Sequence, residues 1–194
     1  MKKLFIGAAM LAAVITACSK KDDTNTGSGN PDNNTPVPGV TKKDTLAVYK
    51  DIEFDISPDK DKYGVAFSTK EGKVYLRKNL PADGSKIDLV FADVDPAMLF
   101  FSSPDNKNLT VKITGATTTL FRNYPSANEL DPAKFDTLSH VAALNNLFTA
   151  ADNGSFPMTY KGLVLFKNAA GKFGVMKVTA INAERVQVTI KTQL

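Results

Sequence analysis

The sequence predicts a mainly β fold, an antiparallel β-sandwich or open barrel with one or two short helices near residues 132–151. Three observations carry that expectation. From Asp44 onward apolar side chains recur at every second position, which is how a strand with one buried face is written. Clusters of turn-forming residues separate these runs at short intervals, which suits hairpins and meanders. Helical stretches that could cross over between parallel strands are scarce.

Along the chain, Met1-Lys2-Lys3 is a short cationic head, and Leu4 to Ile15 is an apolar stretch broken only by Gly7. A membrane span needs about 20 apolar residues to cross a hydrocarbon layer of about 30 Å, so this stretch reads as a targeting segment rather than an anchor. From Thr24 to Thr41 the chain is Asn, Gly, Ser, Thr, Asp and Pro, with Val37 and Val40 as its only sizeable apolar residues, and Lys42-Lys43 closes it. Such a segment cannot bury enough surface to offset the entropy of ordering it, so a disordered tether is expected, with a reach of roughly 25 to 30 Å. The expected organisation is a signal at 1–17, Cys18 and the tether at 18–43, and a β-rich domain at 44–194.

Within that domain the alternating sets are Ile52/Phe54/Ile56, Tyr63/Val65/Phe67, Val74/Leu76, Ile87/Leu89/Phe91 and Val186/Val188/Ile190. The turns between them fall at Lys70-Glu71-Gly72-Lys73, Pro81-Ala82-Asp83-Gly84, Ser103-Pro104-Asp105-Asn106 and Asn168-Ala169-Ala170-Gly171. One helical stretch runs from Pro132 to Ala151. Asp131-Pro132 supplies an N-cap and an N1 proline, and Phe135, Leu138, Val141, Leu144 and Leu147 recur at helical spacing, with Ser139 as a break point. A shift of 99 residues aligns Val65 with Val164, Phe67 with Phe166, Gly72-Lys73 with Gly171-Lys172 and Lys78 with Lys177. Each copy reads as strand, glycine turn, strand, loop, strand, so two similar three-stranded units facing each other across a sandwich are expected.

Composition narrows the chemistry. The net charge of +4 falls to +2 once Lys2 and Lys3 leave with the signal, and no dense Lys/Arg stripe interleaved with aromatics exists, so nucleic acid is not an expected partner. Asp59-x-Asp61-x-x-Gly64 opens like a calcium loop, but Tyr63 stands at the third ligand position and Lys70 where the bidentate glutamate belongs. No nucleophile elbow, phosphate-cradling loop or His-Glu-x-x-His pair occurs, and the chain has one histidine. No enzyme activity, metal or cofactor is therefore expected beyond a covalent lipid. For ligand binding the candidates are the loop-placed aromatics Phe121, Tyr124, Phe156 and Tyr160, together with His140, since the chain has no Trp on which a sugar could stack.

Ile15-Thr16-Ala17-Cys18 resembles the bacterial lipobox, with Cys18 the only cysteine. That resemblance implies cleavage between Ala17 and Cys18 and a diacylglyceryl group on the Cys18 sulfur. Two or three acyl chains hold durably, because each buried methylene contributes about 0.8 kcal/mol. Ser19 gives no retention signal at the inner membrane, and Lys20-Lys21-Asp22-Asp23 resembles the charged export tetrad of surface-exposed lipoproteins of the Bacteroidetes. Together they imply an outer-membrane lipoprotein facing outward, a binding or accessory module whose partners are the membrane and an outer-membrane transporter or extracellular ligand. A structural or adhesive surface role is the alternative. Phe166 to Phe173, Met176-Lys177-Val178 and the final alternating strand look like the closing hairpin of haemophore-type lipoproteins; that likeness implies haem capture by axial side chains, for which His140 and Met158 or Met176 are the available residues. Asp44-Thr45-Leu46 and Asp136-Thr137-Leu138 look like the Bacteroidetes O-glycosylation acceptor, which implies modification at Thr45 and Thr137.

Overall fold

The computed structural model describes residues 44–57, 61–95, 98–124, 131–145, 155–157 and 162–194, all within the unit Pro38–Leu194. Among them ten strands form two five-stranded antiparallel sheets, so the chain adopts the sandwich rather than the barrel. The strands are β1 (Leu46–Asp55), β2 (Ala66–Ser68), β3 (Lys73–Tyr75), β4 (Leu89–Asp95), β5 (Met98–Ser102), β6 (Leu120–Tyr124), β7 (Ser155–Pro157), β8 (Leu163–Lys167), β9 (Phe173–Ile181) and β10 (Arg185–Gln193). One sheet has the order β1-β10-β9-β8-β6, the other β3-β2-β4-β5-β7.

The core between the sheets takes side chains from both: Phe54 from β1, Phe67 from β2, Leu89 and Phe91 from β4, Val164 and Phe166 from β8, and Val186, Val188 and Ile190 from β10. At its centre Phe54, Phe91 and Phe101 pack in tilted and edge-to-face contacts with centroids 4.7–5.9 Å apart, an arrangement favourable by about 0.5–1.5 kcal/mol per pair beyond area burial. Both outer faces are partly covered as well. The loop after β5 lays Leu109 and Val111 against Val65, Val90 and Ala92. On the other sheet two short helices, α1 (Pro132–Thr137) and α2 (Val141–Asn145), set Phe135 and Leu144 on Leu163, Leu165 and Val175.

These two helices lie within the stretch expected from Pro132, divided at Ser139. Asp131 caps α1 by accepting from the Ala133 amide (2.8 Å), and the chain leaves the helix at Leu138, before Ser139. The end of α1 is held by a buried lysine of β10: the Lys191 ammonium donates to the carbonyls of Phe135, Asp136 and Leu138 at 2.7, 3.0 and 2.8 Å. Residues 146–151 of the expected helix lie outside the described residues.

Two expectations need correcting. Tyr63 and Val65 precede β2 rather than belonging to it, because the Asp55 carboxylate gathers the amides of Lys62, Tyr63 and Gly64 at 2.9–3.0 Å and bends the chain into a loop. The two units related by the 99-residue shift fall in different sheets and share the glycine hairpin, but their third strands differ. β10 adds to the second strand of its hairpin, β9, whereas β4 adds to the first strand of its hairpin, β2.

Candidate binding cleft

A cleft of about 530 Å³ opens at one end of the sandwich, where the β2–β3 and β8–β9 hairpin turns meet. Its size falls within the roughly 300–1,000 Å³ of small-molecule sites. Each wall follows from local sequence. In the β2–β3 turn the Ser68 hydroxyl accepts from the Glu71 amide (3.2 Å), and Gly72 takes φ +62°. A Cβ there would also meet the Tyr49 ring at 2.5 Å, so only glycine fits. In the β8–β9 turn the Asn168 carbonyl accepts from the Gly171 amide (2.8 Å) and the Asn168 side-chain oxygen from the Lys172 amide (3.0 Å). A short 3-10 turn at Gly84–Lys86, capped by Asp83, forms the third wall.

The floor is a buried polar bridge between the sheets. Asp88, 8% exposed, accepts through Oδ2 from the Thr69 amide and the Thr69 hydroxyl, both at 2.7 Å, and through Oδ1 from Asn168 Nδ2 at 2.9 Å. Thr69 and Asn168 are matched positions under the 99-residue shift, so one carboxylate grips the equivalent residue of both hairpins. The phenol of Tyr49, on β1, donates to the Thr69 carbonyl at 2.9 Å and adds a second tie between the sheets. Such a bridge is favourable because each buried donor finds an acceptor; charge-assisted hydrogen bonds of this kind contribute about 1.5–3 kcal/mol.

Around the rim stand Lys70, Lys86 and Lys172. Lys86 pairs with Glu71 at 3.3 Å, and Lys172 Nζ donates to the Leu194 carbonyl at 3.0 Å. Lys70 is exposed and has no partner among the described residues. The Asp83 carboxyl is held below its ordinary range by hydrogen bonds from the Ser85 hydroxyl and amide, so it stays ionised at neutral pH. Beside the rim Glu71 also accepts from the Tyr75 hydroxyl, which pushes the phenol up to about 12 and the carboxyl down.

A second concavity, about 610 Å³, lies between α1 and the outer face of β1, β9 and β10. Of its three lysines, Lys191 holds the end of α1 and Lys177 pairs with Asp136 at 2.7 Å, while Lys50 is exposed. Two of the three are thus committed to anchoring a helix.

The residues singled out in the sequence are not brought together. Phe121 is 1% exposed and belongs to the core between the sheets, so it is a packing residue with no surface for a ligand. Tyr124 ends β6 opposite Leu163, and Phe156 lies on β7 opposite Phe101, in different sheets. Tyr160, Met158 and Cys18 lie outside the described residues. His140 precedes α2 with Nδ1 3.4 Å from the Asp44 carboxylate. Met176 is fully buried in the core, so it is not available as an axial ligand. The first Asp-Thr-Leu tripeptide pairs with the residues just after the second. Thr45 bridges to His140, the Leu46 amide donates to the Ser139 carbonyl at 3.1 Å, and the Thr137 hydroxyl donates to the Lys134 carbonyl at 3.0 Å. Thr45 and Thr137 are both exposed at that corner. No helix among the described residues is long and apolar enough to cross a membrane.

The residues that build the cleft, Thr69, Asp88, Asn168 and the three lysines, carried no chemical motif. The available signal was the matched position of Thr69 and Asn168 in the two hairpins.

No protein-family model and no curated protein matches the chain. Among solved structures it is similar to a DUF4466 family protein from Parabacteroides merdae ATCC 43184, with a TM-score of 0.55 and 16% sequence identity. The likeness covers 76% of this chain and 53% of that one, so the chain spans about half the neighbour's length. At that identity the similarity speaks to the fold, and it agrees with a mainly β, two-sheet architecture.

Proposed function

We propose that this protein is a non-enzymatic binding module, a lipoprotein held at the outer membrane through Cys18 and turned to the cell exterior, that captures a small ligand in the cleft at the end of its sandwich. The cleft carries the reading. It combines small-molecule dimensions with a rigid, fully bonded floor, the arrangement expected of a preformed site. Both of its carboxylates are engaged in fixed hydrogen bonds, Asp88 with Thr69 and Asn168 and Asp83 with Ser85, which favours holding a ligand over moving a proton. The lipobox and the charged tetrad supply the place, and a tether of about 25 residues gives the domain room to meet an outer-membrane transporter. The Parabacteroides neighbour is compatible with that setting.

The test has two arms. Protein recovered from native membranes should have the mass of a chain beginning at Cys18 with acyl groups attached, and protease added to intact cells should remove the domain. In a melting screen against glycans, peptides and haem, a cargo at 100 times its dissociation constant adds about 2.7 kcal/mol. That raises the midpoint by roughly 5–11 °C for a domain of this size. A free thiol with an uncut leader contradicts the placement. Indifference to every ligand contradicts the capture role and points to a structural or adhesive coat component.

A further inference from the structure

We propose that the cleft selects a small organic anion, its carboxylate, phosphate or sulfate oxygens gathered by Lys70, Lys86 and Lys172. The inference rests on the binding reading above and names the chemistry of its ligand. It follows from which donors and acceptors of the cleft are already occupied. Asp88 has both oxygens engaged, Oδ2 twice by Thr69 and Oδ1 by Asn168. Asn168 is occupied at both ends of its carboxamide, donating to Asp88 and accepting from the Lys172 amide. Asp83 Oδ1 takes two hydrogen bonds from Ser85 at 3.1 and 2.6 Å. The acceptors are thus largely satisfied within the protein.

The ammonium groups are not. Each carries three N–H donors. Lys86 has one ion-pair partner, Lys172 has one carbonyl, and Lys70 has neither among the described residues. A ligand entering this cleft therefore meets a surplus of cationic donors above a floor that has few lone pairs left to give. An acceptor-rich anion satisfies them. A neutral polyol would displace water from the ammoniums without compensating their charge, and a metal cation would face three positive side chains. Lys70 and Lys86 stand exposed on the rim, so the attraction is modest and sensitive to salt.

The experiment is calorimetric titration of the full-length mature lipoprotein in neutral detergent. The probes are citrate, glucuronate, inorganic phosphate and inorganic sulfate, with glucose as the uncharged counterpart of glucuronate. At least one anion should bind with a dissociation constant at or below about 1 mM. Glucose should bind at least about tenfold more weakly than glucuronate, and affinity should fall as salt is raised. Lys70→Ala and Lys172→Ala should each weaken the anion roughly tenfold, equivalent to about 1.4 kcal/mol, and Lys70→Arg should restore most of the loss. The order among the four probes distinguishes carboxylate from phosphate and sulfate as the natural group. Glucose binding as tightly as glucuronate, or anion binding indifferent to both alanine variants, overturns the anion inference and leaves the binding module standing. No binding by any probe, charged or neutral, together with a silent melting screen, overturns both.

Discussion

Exchanging the two residues that join the sheets at the cleft floor is the most searching perturbation the structure offers. In the native bridge Thr69 and Asn168 both donate to Asp88, so both carboxylate oxygens must accept. Asp88→Asn turns one of them into a donor. If the new amide faces Thr69, the Thr69 N–H loses its acceptor. If it faces Asn168, two NH2 groups oppose each other, and flipping Asn168 to relieve them takes the acceptor from the Lys172 amide. Every choice leaves one buried donor unsatisfied, which costs about 1–3 kcal/mol. A loss near 2 kcal/mol lowers the melting midpoint by roughly 4–8 °C. Asn168→Asp alone puts two carboxylates where a 2.9 Å hydrogen bond stood and should cost at least as much. The double exchange, Asp88→Asn with Asn168→Asp, restores a complete pattern. The new side-chain oxygen accepts from Thr69, the new amide donates to the carboxylate at 168, and that carboxylate still accepts from the Lys172 amide. Urea denaturation of all four proteins gives the cycle. The double variant should recover to within about 1 kcal/mol of the native protein, with a coupling of at least about 1.5 kcal/mol. A silent Asp88→Asn, or a double variant whose loss equals the sum of the singles, would refute the bridge.

Three further outcomes follow from the same structure. Gly174→Ala places a methyl 2.1 Å from Phe166 Cζ, in a core where neither can yield, and should cost about 1–3 kcal/mol by urea midpoint; an effect under about 0.5 kcal/mol would mean the ring is free to move. Lys191→Met removes the ammonium that the carbonyls of Phe135, Asp136 and Leu138 share at the end of α1 and should destabilise by about 2 kcal/mol, with hydrogen exchange rising first in residues 132–145; uniform loss of protection across the domain would contradict that local role. For Tyr75→Phe the pH dependence is the readout. The phenol is raised from 10.0 to about 12 and Glu71 is lowered from 4.5. The bond's contribution is therefore full between roughly pH 5 and 9 and fades as pH climbs through about 12 or falls through the depressed Glu71 value. A native-minus-variant difference that grows in alkali would reverse the assignment.

The parts of the fold legible in the sequence were those where one face of a strand meets the core and the other does not. Val186, Val188 and Ile190 point into the sandwich while Gln187 and Thr189 point out, so β10 alternates from Arg185 to Ile190. In β8, by contrast, Leu163 and Leu165 face the helices while Val164 and Phe166 face the other sheet, so its run is apolar throughout and has no period to read. β8 is legible only through its match to β2 under the 99-residue shift; β5 begins with the same kind of run, Met98-Leu99-Phe100-Phe101, and has no such match. In β1 the register shifts between Tyr49 and Ile52, with Asp51 at φ +56°, which brings both Tyr49 and Ile52 to the core and hides the strand's first half from a simple alternation. The cleft was less legible. Phe121, a candidate ligand-facing ring, instead fills the core, while Asn168 reads only as a turn residue and Thr69 falls between a strand and a turn. What makes them a floor is Asp88, which reaches Asn168 across 80 positions, and no local pattern encodes that contact.

Hydrogen exchange on the lipidated protein, with and without a saturating concentration of whichever of citrate, glucuronate, phosphate and sulfate binds most tightly, tests the central claim most directly, because it locates the ligand on the chain. The account predicts slowed exchange confined to the β2–β3 turn around Thr69 to Gly72, the Gly84–Lys86 turn and the β8–β9 turn from Asn168 to Lys172. Slowed exchange on the outer face of β1, β9 and β10 beside α1, with those three turns unchanged, would contradict it.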